Sequence, residues 1–318
     1  MNWFEANNRD VVQAVPPSKR LIHFYSFIKR RQERYLARVA HDAERYASLV
    51  DDPVLDNWKF TNVYRILDRV TQYELKYVID DVDGRFDGML DHMIGIYVFR
   101  LFNSIPTWEM LPEEYKHCPS KHLTDIEAFV EDKRKQGVTI YNNAYMLTPP
   151  WTFGCETRTQ LFMRTLRNML ADESLHKVYS SPDLRETFGI FLRQEGFGEF
   201  LAYQFALDYS YNHFDVDYEA FVVPGIGCQR GMRRVWPGLG KELMPGILKC
   251  MAKSKLWIEP LTYEGKELPL RGNDLQNCFC EYDKYCRVQS QEKARLKNAF
   301  SRKYSQLEEP YIPKAWRI

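Results

Sequence analysis

A chain of 318 residues with 45% hydrophobic and 14% aromatic content can bury a sizeable core, which excludes a disordered chain and leaves room for one large domain or two smaller ones. Its net charge of +1 excludes a uniformly basic nucleic-acid coat, so any such surface is a local patch offset by acidic surface elsewhere. Seven cysteines without regular spacing make no disulfide framework, and MNWFEANNRD has no apolar signal core; a cytoplasmic protein with reduced thiols is expected.

Apolar residues recur at three- and four-residue spacing and strand signals are scarce, which predicts a mainly α fold. The expected helices are 18–50, 60–78, 87–102, 123–136, 158–171, 181–194, 198–209, 217–222, 229–235, 245–254 and 274–303. Breaks fall at Asp51-Asp52-Pro53, Pro149-Pro150, Ser181-Pro182, Pro224-Gly225 and 265–273. No Gly/Ser linker or repeat divides the chain, so one helical domain, 1–318, is expected: a long basic N-terminal helical arm over 1–50, a core over 52–290 and a tail over 291–318. The arm sets Lys19, Arg20, Lys29, Arg30, Arg31, Arg34 and Arg38 among aromatics. It either tracks a DNA backbone or presents a solvated basic face with Glu33 and Glu44 as partners. The most apolar run, 92–102, is too short to span a bilayer and holds Arg100, so no membrane partner is expected.

Four segments carry candidate chemistry. In DDPVLDNWKFTNVYRILDRVTQYEL, Asn62, Arg65 and Arg69 fall on one stripe if the segment is helical. Two fixed guanidiniums suit phosphate or pyrophosphate; the alternative is a structural ion-pair helix with Asp68 or Glu74 as partners. In GEFLAYQFALDYSYN, Gln204 and Asp208 share a face, as a substrate contact or a buried hydrogen-bond network. VVPGIGCQRG reads as the phosphate-gripping hairpin of a helix-hairpin-helix DNA binder: Gly225 and Gly227 permit φ > 0 and close approach of backbone N–H groups to a phosphate, and Arg230, Arg233 and Arg234 follow. The alternative is a Pro-Gly connection between packed helices. In RGNDLQNCFCEYDKYCRV, Asn273 or Asp274 can cap a helix whose next turns display Asn277, Glu281 and Lys284 on one face. Cys278 and Cys280 diverge by about 200° on such a helix and no His follows His213, so neither metal nor cofactor is expected.

Taken in order, DPVLDNWKFTNVYRILDRVT, GEFLAYQFALDYSY, VVPGIGCQRG and NDLQNCFCEYDKYCR resemble the alpha-glutamyl/putrescinyl-thymine pyrophosphorylase family of phage DNA hypermodification systems, over most of 52–287. The resemblance implies a helix-hairpin-helix DNA glycosylase-like fold and an amino acid:DNA transferase. In that reaction 5-(pyrophosphoryloxymethyl)uracil in double-stranded DNA loses pyrophosphate and is joined to an amino acid. It further implies that Arg65, Arg69 and Lys284 stabilise the leaving anion and that Asp274 or Glu281 takes the amine proton. Asn62, Gln276 and Asn277, with Gln204 and Asp208, hold the substrates. The helical domain of hydroxymethyluracil DNA kinases shares parts of these patterns, so the motifs mark the superfamily better than the activity, and a functional link to such a kinase is expected. No GxxxxGK[ST] occurs in the sequence, so this chain lacks a kinase phosphate loop. Where lyase-type glycosylases carry a Lys, two residues after the second Gly of the hairpin, this sequence has Gln229, which disfavours a Schiff-base lyase.

Overall fold

Side-chain caps set where many helices begin. Asp42, Asp52, Ser104, Thr157 and Asp183 each place an oxygen on the first free N–H groups of a helix. In chain order the helices are α1 (Arg20–Val39), α2 (Ala43–Ser48), α3 (Pro53–Asn57), α4 (Arg69–Glu74, continued by a π-helical turn at Leu75–Ile79), α5 (Met89–Phe102), α6 (Ile105–Met110), α7 (Glu113–His117) and α8 (Leu123–Lys135). They continue with α9 (Arg158–Ala171), α10 (Ser174–Ser180), α11 (Leu184–Leu192), α12 (Glu199–Ser210), α13 (Ile226–Val235), α14 (Met244–Lys253) and α15 (Gly272–Gln289). A small hairpin lies between α14 and α15: β1 (Leu261–Tyr263) runs antiparallel to β2 (Lys266–Leu268). Its turn residues Glu264 and Gly265 both have positive φ, the combination that suits the twist of a two-residue hairpin. This computed structural model describes residues 18–142, 149–213, 216–218, 221–253, 258–290 and 304–317.

The described residues form two compact units, one from Met1–Asp68 and Tyr218–Pro310, the other from Arg69–Asp217 and Tyr311–Ile318. Two of the crossings fall inside the segment 52–290 that reads from sequence as one core, and no linker composition marks them. In the first unit the N-terminal helix is a core element. Phe24 stacks on Phe279 at a ring separation of 3.9 Å and meets the edge of Tyr282 at 5.2 Å. Of the arm's cations, Arg31 and Arg34 are buried, and Arg34 bonds the Leu49 carbonyl and the Asp56 carboxylate. The arm residues 1–17 lie outside the described residues.

In the second unit α5 and α12 are buried almost all round, as their lack of a polar face requires. No helix among the described residues is long and apolar enough to cross a membrane.

Two expected helices depart from expectation among the described residues, 60–78 being helical only from Arg69 onward. Over 60–78, Asn62 donates its side-chain amide to the Leu67 carbonyl at 2.6 Å and its backbone N–H to Asp68 at 2.8 Å. Such local side-chain bonds compete with the helical ladder, and the segment becomes a loop, a 3-10 turn at Arg65–Leu67 and then α4. The described residues of 217–222 are not helical. α15 is described to Gln289, and the remainder of 274–303 beyond residue 290 lies outside the described residues, as does the start of the expected tail.

Candidate active site

The loop 59–65 lacks a regular ladder, so its backbone groups need partners, and one face of α15 supplies them. Asp274, Asn277, Cys278, Glu281 and Lys284 recur at three- and four-residue spacing along about 15 Å of helix. The loop runs antiparallel to them. Asp274 accepts the Arg65 N–H at 2.7 Å, Asn277 donates to Thr61 Oγ1 at 2.9 Å, and the Cys278 thiol donates to the Val63 carbonyl at 3.6 Å. Glu281 accepts the Thr61 N–H at 3.2 Å, and Lys284 donates to the Lys59 carbonyl while lying over the Phe60 ring. From α1, Arg31 closes the other side by donating to the carbonyls of Thr61 and Asn62. The predicted face of α15 therefore exists, and Asn277, Glu281 and Lys284 act on it by holding the loop.

Two carboxyl groups in this unit titrate far from their ordinary range. Asp274 is 4% exposed, and burial raises its pKa to about 6 against the opposing pull of the Arg65 and Arg271 N–H groups. Loss of solvent raises Asp68 to about 7; the Asn62 N–H and Arg65 oppose the shift, and the charge of Glu281 adds to it. Arg65 thus acts electrostatically on both. A carboxyl poised near neutrality can hold or release a proton at working pH, which is what general acid–base chemistry needs. Beside Asp274, the Asn273 amide is 1% exposed with neither its nitrogen nor its oxygen bonded, a costly state for a buried amide. Gln276 is buried on the same helix.

Other expected site residues belong to the second unit. Arg69 opens α4 in the second unit and is exposed, so Asn62, Arg65 and Arg69 share no helical stripe. Gln204 and Asp208 also belong to the second unit, where Asp208 grips Arg100 with both oxygens and Arg100 bonds Glu74 at 2.9 Å. All three side chains are buried, so Asp208 sits in an ion network built around one guanidinium, while the buried Gln204 amide nitrogen has no hydrogen-bond partner among the described residues.

The glycines of the hairpin differ from expectation too. Gly225 has φ of −65° and precedes α13. Gly227 lies inside α13, where an added Cβ would stand 2.3 Å from Cys280 Sγ, and at Gly231 it would stand 1.9 Å from the Phe279 carbonyl oxygen. Gly227 and Gly231 let α13 approach α15. Arg230 and Arg233 are exposed on α13; Arg230 pairs with Asp283 at 2.9 Å and Arg233 donates to the Leu239 carbonyl at 3.1 Å.

Burial raises the Cys278, Cys280 and Cys286 thiols above their ordinary pKa, and they do not converge. Among the described residues the ligand atoms that do gather are those of Asp87, His117 and Cys118, with the Lys121 ammonium 3.5 Å from Asp87. Sequence reasoning missed Arg31, Asp68 and Asn273 as parts of the site. Arg31 was hidden in a basic run, and Asp68 had been read as an ion-pair partner.

Fold and site define a mainly helical protein with titratable carboxyl groups flanking an arginine on a clamped loop. The chain belongs to the family of 5-hmdU DNA kinase helical domains, whose model matches residues 18–295. It is 22% identical over 286 residues to the 5-hmdU DNA kinase of Bacillus phage SP10, a match covering 83% of this chain and 44% of that relative. The chain thus spans less than half the length of the curated relative it matches. No solved structure matches it.

Proposed function

We propose that this chain works in phage thymine hypermodification as an amino acid:DNA transferase that displaces pyrophosphate from 5-(pyrophosphoryloxymethyl)uracil in duplex DNA. The family supports the setting, and the sequence carries no phosphate loop of its own. The observation that carries the chemistry is the pair of near-neutral carboxyl groups, Asp274 and Asp68, acting with Arg65. The amine nitrogen forms a bond to the uracil methylene as the carbon–oxygen bond to pyrophosphate breaks. Asp274 or Asp68 takes the amine proton, and the Arg65 guanidinium stabilises the departing anion. Asn277, Glu281 and Lys284 position the loop that carries Arg65, while Asn62, Gln276 and Asn273 stand nearest in sequence to these groups for contact with the base or amino acid. The start of α13 at Gly225, with exposed Arg230 and Arg233, would face the duplex.

A second reading is a DNA-presenting domain that serves a separate kinase. It is favoured by the kinase name of a relative more than twice as long as its matched part. Mass spectrometry of nucleosides after incubating pyrophosphorylated DNA with mixed amino acids separates the two. A new nucleoside carrying an amino acid supports the transferase, and Arg65→Ala should slow its formation about a hundredfold in a single turnover. Unaltered bases with tight duplex binding favour the presenting domain, and free base with abasic sites would indicate a glycosylase.

A further inference from the structure

Three guanidiniums converge on one carboxylate in the first unit. Asp283, fully buried on α15, accepts from Arg230 Nε at 2.9 Å and from Arg234 Nε at 2.8 Å, and it pairs with Arg287 Nε at 3.1 Å. The convergence follows from helix geometry. Arg230 and Arg234 lie one turn apart on α13, Asp283 and Arg287 one turn apart on α15, and Gly227 and Gly231 allow the helices to meet closely. Arg230 and Arg287 alone set two positive charges against the one negative charge of Asp283, a surplus within the cluster in a chain whose net charge is +1.

Neutralising one buried aspartate needs one arginine, so the surplus points to an anion from outside. The side chains of Arg230, Arg234 and Arg287 are 52%, 20% and 28% exposed. Asp283 accepts hydrogen bonds from Nε of Arg230 and Arg234 and forms an ion pair with Nε of Arg287, and no partner among the described residues occupies the terminal nitrogens of Arg230 and Arg287. Guanidiniums with fixed Nε and open terminal nitrogens suit a phosphodiester oxyanion, because less side-chain freedom is lost per bond formed.

We propose that Asp283 is a positioning residue that holds Arg230, Arg234 and Arg287 as a preformed cradle for a backbone phosphate of duplex DNA. The proposal rests on the DNA reading above and adds to it the group that organises the contact.

The test is fluorescence anisotropy of the full chain with a duplex oligonucleotide across a salt series. Arg230→Gln with Arg287→Gln should weaken binding at least about tenfold and reduce the salt slope by about one, the effect of one lost phosphate contact. Asp283→Asn is the decisive variant, because it makes the patch more positive. Attraction by charge alone predicts equal or tighter binding, whereas loss of positioning predicts weaker binding. Should Asp283→Asn disturb the fold, Arg230→Lys with Arg287→Lys keeps every charge but removes the Nε contacts, and binding should again weaken. Wild-type duplex affinity in both the lysine and glutamine pairs, or equal or tighter binding by a folded Asp283→Asn, overturns the cradle while leaving the DNA reading intact. A wild-type chain that does not bind duplex overturns that reading and the cradle with it.

Discussion

The Asp274 carboxylate accepts the Arg65 backbone N–H at 2.7 Å with one oxygen and the Arg271 N–H at 2.9 Å with the other, so a single residue ties the loop to the start of α15. An asparagine has only one acceptor oxygen, and its NH2 group would face an N–H donor. Asp274→Asn should therefore cost about 1–3 kcal/mol, and Asp274→Ala at least as much. A simple helix cap would instead tolerate asparagine with little loss. Thermal denaturation of both variants beside single-turnover conjugation checks this, and an asparagine variant with wild-type stability contradicts it.

The raised carboxyl groups predict how stability responds to pH. Asp274 at about 6 and Asp68 at about 7 both lie above the ordinary 3.8, so between these values the folded state binds more protons than the unfolded chain. Stability should fall as pH rises from about 4, by up to about 1.4 kcal/mol per pH unit for each group, until each has ionised. From about one pH unit above 7 these two groups add no further slope. Asp68→Asn keeps an oxygen for the Asn62 N–H and should flatten the decline between pH 6 and 7. Denaturant midpoints measured from pH 5 to 8 would show this, and an unchanged slope in the variant would remove Asp68 as its source.

What sequence made legible was local. Helix α9 was readable at both ends because Thr157 and Gln160 form a reciprocal cap ahead of a regular apolar stripe. The start of α15 was legible only to within two residues: the cap is Arg271, Asp274 reaches back to it from the third helical position, and the Asn273 side chain caps nothing. Segment 60–70 misled for a physical reason: Phe60, Val63, Ile66 and Leu67 are apolar because the loop is buried, and burial of a loop can imitate helical spacing. The glycines of VVPGIGCQRG fit a phosphate hairpin or a helix contact equally well until α15 is seen against them. The Asp283 cluster was invisible, since 53 residues separate Asp283 from Arg230.

Glycine substitutions in α13 should act on the fold before they act on DNA. At Gly231 a methyl group would meet the backbone oxygen of Phe279, which cannot swing away, so Gly231→Ala should cost about 1–3 kcal/mol or more through overpacking. At Gly227 the obstacle is the Cys280 thiol, a side chain that can rotate, so Gly227→Ala should cost less and leave a folded protein. Duplex affinity of folded Gly227→Ala at fixed salt should match the wild type. A selective loss of affinity with unchanged melting would return Gly227 to a phosphate contact.

The second unit depends on Arg100. Its side chain is 3% exposed, and the two carboxylates it satisfies, those of Glu74 and Asp208, are fully buried. Removing the guanidinium takes from two buried carboxylates the cation they share in a low-dielectric core, so Arg100→Ala should cost about 3–5 kcal/mol or prevent folding at physiological temperature. Arg100→Lys keeps the charge but cannot grip Asp208 with two parallel donors, and partial recovery is expected. Asp208→Asn tests the competing role. If Asp208 belongs to the ion network, the variant lowers the melting temperature and leaves the KM for the amino acid unchanged at temperatures where it stays folded. If Asp208 binds substrate, KM rises at those same temperatures, and that result would bring the residue back into the site.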